Sequence, residues 1–539
     1  MRMSAPPAAL VAAGAGAAAV AGSLSPWATF PGFPGKMTLS GFPGGARLFC
    51  LLLALGAALA FTRMEGRRGA GTLAGAGVAA IALGNAAAIA DQGGAVGSVA
   101  WGAWLTAAAG AAMAAAFRSL PPDAALPGAW RPWPRPLEAL VVAASTGAVL
   151  ALAVWGLGIG EPSRFSSFVA FVAFGAVALA RLGVFDWVQS VLSRRPGMAL
   201  VCAGLAAAAF PFTQGGNAYW IRVFASIGVF AAAAIGLNVV VGLAGLLDLG
   251  YIAFFGVGAY TGALLARAAL TTVHVHLPFG VVVLLGATIA GAFGVVIGAP
   301  TLRLRGDYLA IVTLGFGEIF RITANNWDGL TRGPNGISGI PDLHLGSFDF
   351  GGPHQVLGTS LPGFANYYFL ELVLLAGVIV VFTRLDDSRI GRAWVAIRED
   401  EVAAAAMGVD TVRLKLLAFA VGAFLAGAAG TVNAHVTTQV SPDSYTFLES
   451  ILLVAAVVLG GMGTVPGALL GSAALFVIPE KLRSFQDERL LLFGAALVLM
   501  MRFRPEGIVP SRRRSRELHE AGPGGGDATS APPGGRAAA

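Results

Sequence analysis

The chain reads as long apolar runs separated by short polar stretches, and the length of those runs sets what it can build. A bilayer's hydrocarbon core is about 30 Å thick and a helix rises about 1.5 Å per residue, so one crossing takes about 20 mostly apolar residues. Runs of about this kind lie near 46 to 62, 70 to 90, 97 to 117, 137 to 158, 165 to 182, 198 to 213, 219 to 241, 250 to 270, 278 to 300, 307 to 325, 366 to 384, 413 to 436, 446 to 462, 466 to 480 and 488 to 501. A weaker Ala/Gly run at 8 to 22 brings the total to roughly sixteen. Several are short or broken by glycine, notably around Gly460-Gly461-Met462-Gly463, which suits re-entrant or half-helices. The expected fold is all-α: a polytopic transmembrane helical protein of about 13 to 16 spans, half-helices included. The first run has no basic segment before it beyond Arg2 and is followed by further spans, so it reads as a weak first helix rather than a cleaved signal.

Composition agrees with this pattern. Of the 539 residues 56% are hydrophobic and 12% charged, against about 25% charged in soluble domains, so the surplus apolar surface must face lipid. Glycine, at 75 residues, suits helices packed closely in a bilayer. Cys50 and Cys202 both lie in apolar runs, too few for a disulfide scaffold or a thiolate metal site. A net charge of +7 would suggest nucleic acid in a soluble protein, but here the basic residues follow topology. Strict alternation of the runs places 25 of the 35 Lys and Arg on one face, which is then cytoplasmic, as are both termini. No nucleic-acid partner is needed, and membrane lipid is the surrounding medium. The tail from about 503 has too little apolar content to pack and is expected to be disordered. Its Arg512–Arg516 cluster reads as an ordinary positive-inside stop signal, with contact to anionic headgroups as the alternative.

Enzyme chemistry finds little to stand on. No phosphate-binding P-loop exists, because Gly35-Lys36 lacks both the upstream Gly and the following Ser or Thr. His274 and His276 sit alone in a short loop and suit solvent better than a metal, and no catalytic triad or zincin spacing occurs. No cofactor is therefore expected on this chain. The distinctive segment is 388 to 410, placed on the cytoplasmic side. Ile390, Trp394 and Ile397 share one helical face, while Arg398, Glu399, Asp400 and Glu401 form a charged knot, followed by an Ala-rich stretch ending at Gly408, a natural C-cap. Such an amphipathic helix either lies along the membrane surface or docks into a groove on a cytoplasmic partner. Its Glu401-x-Ala-Ala404 pattern resembles the Glu-Ala-Ala loop by which ABC permeases grip their ATPases.

Six blocks in order over about residues 219 to 510 strengthen that resemblance. They are Ile235 to Tyr260, Leu304 to Ile319, Thr331 to Ile337, Gly391-Arg-Ala-Trp-Val-Ala-Ile-Arg-Glu-Asp400, Val458-Leu-Gly-Gly-Met-Gly-Thr464 and Phe503 to Ile508. Together they resemble the LivM-type permease subunit of branched-chain amino acid ABC transporters. The resemblance implies an importer of leucine, isoleucine and valine. Its other parts would be a LivH-like permease subunit, two LivG/LivF-like ATPase subunits that carry ATP-Mg, and an extracytoplasmic substrate-binding protein. It also implies an ATPase-coupling loop formed by Gly391, Arg392, Trp394, Ile397, Arg398, Glu399, Asp400, Glu401, Ala404 and Gly408. Where the family has His after the Leu-Gly of the first block, this chain has Tyr251. The resulting organisation is an Ala/Gly-rich membrane extension over 1 to 210, a LivM-like permease domain over 211 to 502 and a cytoplasmic tail over 503 to 539.

Within the permease region, glycines around polar residues let a helix break and present backbone to a cavity. Asn238, Gly242, Gly245, Asp248, Tyr308, Glu318 and Asn325 are the candidates for the translocation pathway, since buried polar groups in lipid normally face protein or water. Asp248 has a second reading as the cap of the helix beginning near Gly250. The polar stretch 326 to 365, with Trp327, Asp328 and Gly333-Pro-Asn-Gly336, is the expected docking surface for a binding protein or else a plain solvated connector. Urea or amide ABC permeases share this architecture, so substrate stays open. An ion-driven secondary transporter would call for similar halves, which this chain lacks.

Overall fold

The computed structural model describes residues 7–32, 35–39, 46–59, 67–93, 95–120, 134–213, 218–266, 277–301, 307–345, 348–356 and 358–481, with 494, 495, 498, 502 and 507–509 beyond them. Most of the expected run near 488 to 501, nearly all of the 503 to 539 tail, and His274 and His276 lie outside the described residues. The chain forms two compact units, Met1–Thr213 and Gln214–Ala539.

The first unit comprises α1 (Pro7–Leu24), α2 (Ala46–Leu59), α3 (Arg67–Gln92), α4 (Trp101–Arg118), α5 (Arg135–Gly158), α6 (Pro162–Arg181), α7 (Val184–Arg194) and α8 (Pro196–Thr213). Its Ala/Gly richness has a packing cause. Gly75 of α3 and Gly110 of α4 face one another, and a Cβ on Gly75 would stand 2.6 Å from the Ala114 nitrogen and 2.8 Å from the Gly110 oxygen. Small residues let the two backbones meet where larger side chains would hold them apart. Around this pair the Phe49 ring stacks on Phe171 at 5.2 Å and tilts against Trp155 at 5.0 Å. The buried Glu138 carboxylate of α5 is held between Arg194 at 3.7 Å and Arg195 at 3.4 Å.

The second unit comprises α9 (Ala218–Asn238), a π-turn at Val239–Leu243, α10 (Ile252–Leu265), α11 (Phe279–Thr301), α12 (Asp307–Asn326), α13 (Asp328–Thr331), α14 (Gly363–Asp386), α15 (Arg389–Glu399), α16 (Glu401–Ala406), α17 (Thr411–Thr437), α18 (Phe447–Gly460) and α19 (Val465–Lys481). At its centre α17 packs against α9, α10 and α11. Glycines permit this, since Gly258 of α10 meets Gly427 of α17 backbone to backbone. Strand is confined to short antiparallel pairs, such as Ile337–Ser338 with Gln439–Val440.

The protein is thus a polytopic all-α membrane protein. Among the described residues, eight helices are long and apolar enough to cross a membrane, and five shorter ones are apolar. Helix α12 forms at its expected position but is outside both groups, carrying Glu318 and Arg321 within it. The half-helix expected before the Gly460–Gly463 turn is instead long enough to cross: α18 provides 14 residues of the 19-residue span Pro442–Gly460.

Candidate functional site

The site begins where α9 stops being regular. After Asn238 the helix widens into the π-turn, and residues 244 to 251 run without helical pairing until α10 starts at Ile252. Gly245 sits in this break at φ +71°, a conformation that side chains resist. Freed backbone groups at such depth need new partners, and long-range contacts supply them. Asn238 donates to the Thr464 carbonyl at 3.1 Å and accepts from the Gly463 N–H at 2.8 Å, which joins the break to the turn between α18 and α19. Gly242 lies between these groups, where a Cβ would overlap the Asn238 carbonyl oxygen.

Asp248 is 1% exposed. One carboxylate oxygen accepts the Gly250 N–H at 2.9 Å, closing a tight turn ahead of α10, while Oδ2 has no hydrogen-bond partner among the described residues. Asp248 is thus a local turn-former ahead of α10, and not its cap, since the residue at the start of α10 is Tyr251 and no side chain caps it. The Leu249 N–H donates to Thr313 of α12 at 3.1 Å, and the Ile252 N–H donates to Ser450 of α18 at 3.2 Å. Tyr251, in the position where the resemblance leads one to expect His, is fully buried and donates its hydroxyl to the Gly422 carbonyl of α17 at 2.7 Å. Its role here is to tie the break to the central helix.

The 388 to 410 segment packs against the same region. It is two helices where one was expected. Asp400 adopts an extended conformation, φ −153° and ψ 106°, and its carboxylate accepts the N–H groups of Val402 and Ala403 at 2.8 and 2.9 Å, ending α15 and capping α16. Gly408, at φ +85°, closes α16: its N–H reaches the Ala405 carbonyl, and the next N–H, of Val409, reaches Ala404. Ser388 caps α15 by accepting from Gly391, which has no room for a Cβ against the Leu385 carbonyl.

The inward face is fixed at three points. Trp394 is fully buried and its indole N–H donates to the Leu414 carbonyl of α17 at 2.7 Å. Glu401 accepts from the largely buried Lys415 ammonium at 2.6 Å, again on α17. Arg398 reaches inward, and its guanidinium donates to the Gly242 carbonyl at 2.7 Å, at the π-turn. Ile397 and Ala404 are buried on the same side. The outward face carries Arg392, Glu399 and three exposed apolar side chains, Val402 at 69%, Met407 at 85% and Val412 at 61%. Truncating Trp394 to Ala is expected to cost about 3–5 kcal/mol, and Trp394→Phe, which loses the hydrogen bond and part of the ring volume, about 1–3 kcal/mol; thermal unfolding of the detergent-solubilised chain checks the difference.

The structure therefore brings Asn238, Gly242 and Gly245 together with Arg398, while Asp248 is bound locally to Gly250. Tyr308, Glu318 and Asn325 on α12 take no part in those hydrogen bonds: Tyr308 is 70% exposed, Glu318 pairs with Arg321 at 2.5 Å, and Asn325 is half-buried. Two residues escaped the sequence reading. Lys415 had no signal, since its partner Glu401 stands at no helical spacing from it. Glu371 of α14 is 1% exposed with both oxygens lacking hydrogen-bond partners among the described residues, and its signal was a lone carboxylate within an apolar run. No group of three or more potential metal ligands occurs among the described residues.

Comparison with known proteins agrees with this geometry. The family described as "Branched-chain amino acid transport system / permease component" matches residues 219–501. The chain is 43% identical over 304 residues to the high-affinity branched-chain amino acid transport system permease protein LivM of Salmonella typhimurium, covering 54% of this chain and 70% of that one. It is 41% identical over 333 residues to the LivM protein of Escherichia coli K12, covering 59% and 76%. Identity to the LivH permease protein of the same E. coli strain is 27% over 286 residues, covering 52% and 91%. No solved structure matches. The helical break, the helix pair pinned to it and these matches lead to one conclusion: the chain belongs to the family of permease components of branched-chain amino acid transport systems, and within it to the LivM type.

Proposed function

We propose that the chain is the LivM-type membrane subunit of an ATP-driven importer of branched-chain amino acids, working with a LivH-like permease subunit, two LivG/LivF-like ATPase subunits and an extracytoplasmic binding protein. ATP-Mg would be held by the ATPases, since this chain has no P-loop. The observation that carries the reading is the two-faced 388 to 410 segment. One face is tied to α17 and to the π-turn by Trp394, Glu401 and Arg398, while the other leaves Val402 and Met407 uncovered, next to the exposed Val412 at the start of α17. A movement imposed on the outer face by an ATPase reaches α17 and the break directly. In the proposed cycle, ATP binding draws the ATPases together, α15 and α16 move with them, and the region of Asn238, Gly242, Gly245 and Asp248 alternates its access.

The reading places both termini and the 388 to 410 segment in the cytoplasm, with the 326 to 365 stretch outside to receive the binding protein. Residues 1 to 210 are an added membrane unit without transport chemistry. A charge on the outer face tests the docking. Met407→Asp is expected to lower co-purification of the ATPase subunits at least about tenfold, about 1.4 kcal/mol, without changing membrane insertion. Unchanged co-purification would overturn the docking face. Uptake of labelled leucine, isoleucine, valine and urea by the assembled complex tests the substrate, and transport of urea alone would replace this reading with a urea permease.

A further inference from the structure

Three helices of the second unit, α9, α18 and α19, enclose a cavity of about 130 Å³ lined by Phe230, Glu449, Leu453, Ser472, Leu475 and Phe476 among others. Cavities of about 150 Å³ accept a benzene-sized guest, whereas drug-sized ligands need about 300 Å³ or more, so the occupant is small. Its walls are mostly hydrocarbon and firm, with the Phe230 ring 4.7 Å from Phe476 and 5.8 Å from Phe255. Two polar groups line it. Ser472 is 1% exposed and its hydroxyl has no hydrogen-bond partner among the described residues. Glu449, in the first turn of α18, lines it as well.

A buried hydroxyl left unpaired and a carboxyl group at an apolar cavity both call for a partner, because desolvated polar groups are costly when unsatisfied. Depth adds to this. Phe230 stands at the middle of the 26-residue span Ala218–Leu243, the level at which transporters hold small substrate sites. The occupant that satisfies every wall has a compact branched hydrocarbon, an ammonium for Glu449 and an acceptor for the Ser472 hydroxyl.

We propose that this cavity is a transient passage site for an aliphatic α-amino acid, with the ammonium on Glu449, the carboxylate on Ser472 and the branched side chain between Phe230, Leu453, Leu475 and Phe476. The proposal rests on the permease reading and adds to it a place in this chain where substrate pauses. It also predicts that selection by the permease acts on the ammonium and not on the hydrocarbon alone.

The test uses the full chain in its assembled transporter, in vesicles without the binding protein. Ser472→Cys places a thiol at the cavity, and its modification by N-ethylmaleimide is followed by peptide mass mapping, which separates it from Cys50 and Cys202. Leucine is expected to slow modification about tenfold, and 3-methylbutylamine to slow it measurably. 4-Methylpentanoate, which lacks the ammonium, should give at least about tenfold weaker protection, the loss of one charge-assisted contact. Adding Glu449→Gln should abolish protection by leucine, judged as the ratio of rates with and without leucine within that variant. Leu453→Cys serves as a second reporter should Ser472→Cys accumulate poorly. Equal protection by 4-methylpentanoate, as for an acyl-chain or fatty-acid site, would overturn the proposal. So would absence of protection at both reporters, or protection that survives Glu449→Gln. Leucine uptake by the unmodified complex is measured alongside with the binding protein added back: if it persists when protection fails, only the site is lost, whereas its absence sinks the permease reading itself.

Discussion

Charge reversal at Arg398 is expected to reduce leucine uptake below about a tenth of wild type while the partner ATPases continue to hydrolyse ATP and the chain stays in the membrane. The guanidinium donates to the Gly242 carbonyl at 2.7 Å, and the stem of the side chain fills the space that Gly245 leaves open. Such a charged hydrogen bond contributes about 1.5–3 kcal/mol, and a carboxylate in its place would repel the carbonyl oxygen. A tenfold loss corresponds to about 1.4 kcal/mol, so the expected effect is well within the strength of the contact. Arg398→Lys keeps the charge but not the planar fork and should retain intermediate uptake. Uptake and ATP hydrolysis measured on the same vesicles decide the matter. Normal uptake by Arg398→Glu would show that movement does not pass through this contact.

The second large effect lies in the core of the permease unit. Gly430→Val is expected to prevent the chain from accumulating as a folded protein, because a Cβ at Gly430 would overlap the Phe255 carbonyl oxygen of α10. The clash is with backbone, which a rotamer change cannot relieve, and the neighbouring Gly258–Gly427 meeting locks the same two helices together. The cost should reach or exceed the about 1–3 kcal/mol usual for overpacking. Gly315→Val is the control, since a Cβ there meets open space. Equal recovery of both variants as monodisperse protein on gel filtration would refute the close-packing account of α10 and α17.

Much of the helical plan was legible in the apolar runs. The run at 219 to 241 became α9 and its π-turn, and the run at 413 to 436 became α17, because an apolar run of that length has few ways to satisfy its backbone in lipid other than as a helix. The glycines between 236 and 250 pointed to broken helix, and the break is there. Less was legible in the 388 to 410 segment. Its amphipathic pattern put Trp394 and Ile397 on one apolar face, but that α17 of the same chain covers this face, where the membrane surface or a partner's groove was expected, did not follow from spacing; nor did the division at Asp400, since an aspartate within a helical pattern can either project to solvent or cap a new helix. The Ala/Gly surplus of the first unit lacked an explanation until Gly75 was found against Gly110.

What the sequence determined by itself was local: which stretches are apolar enough for lipid, where glycine and capping residues end a helix, and which motifs stand together in order. These depend on residues within a few turns of each other, so hydrophobic periodicity and capping chemistry disclose them. Tertiary structure decided which polar groups share a site. Arg398 reaches a carbonyl 156 residues away, and Gly463 donates to an Asn238 carbonyl 225 residues away. Tyr308, Glu318 and Asn325, equally polar in the sequence, take no part in those contacts. A side chain carries its hydrogen-bonding capacity in its chemistry, but the partner is chosen by how helices far apart in the chain cross, and that is set by the close approach of small residues on their faces.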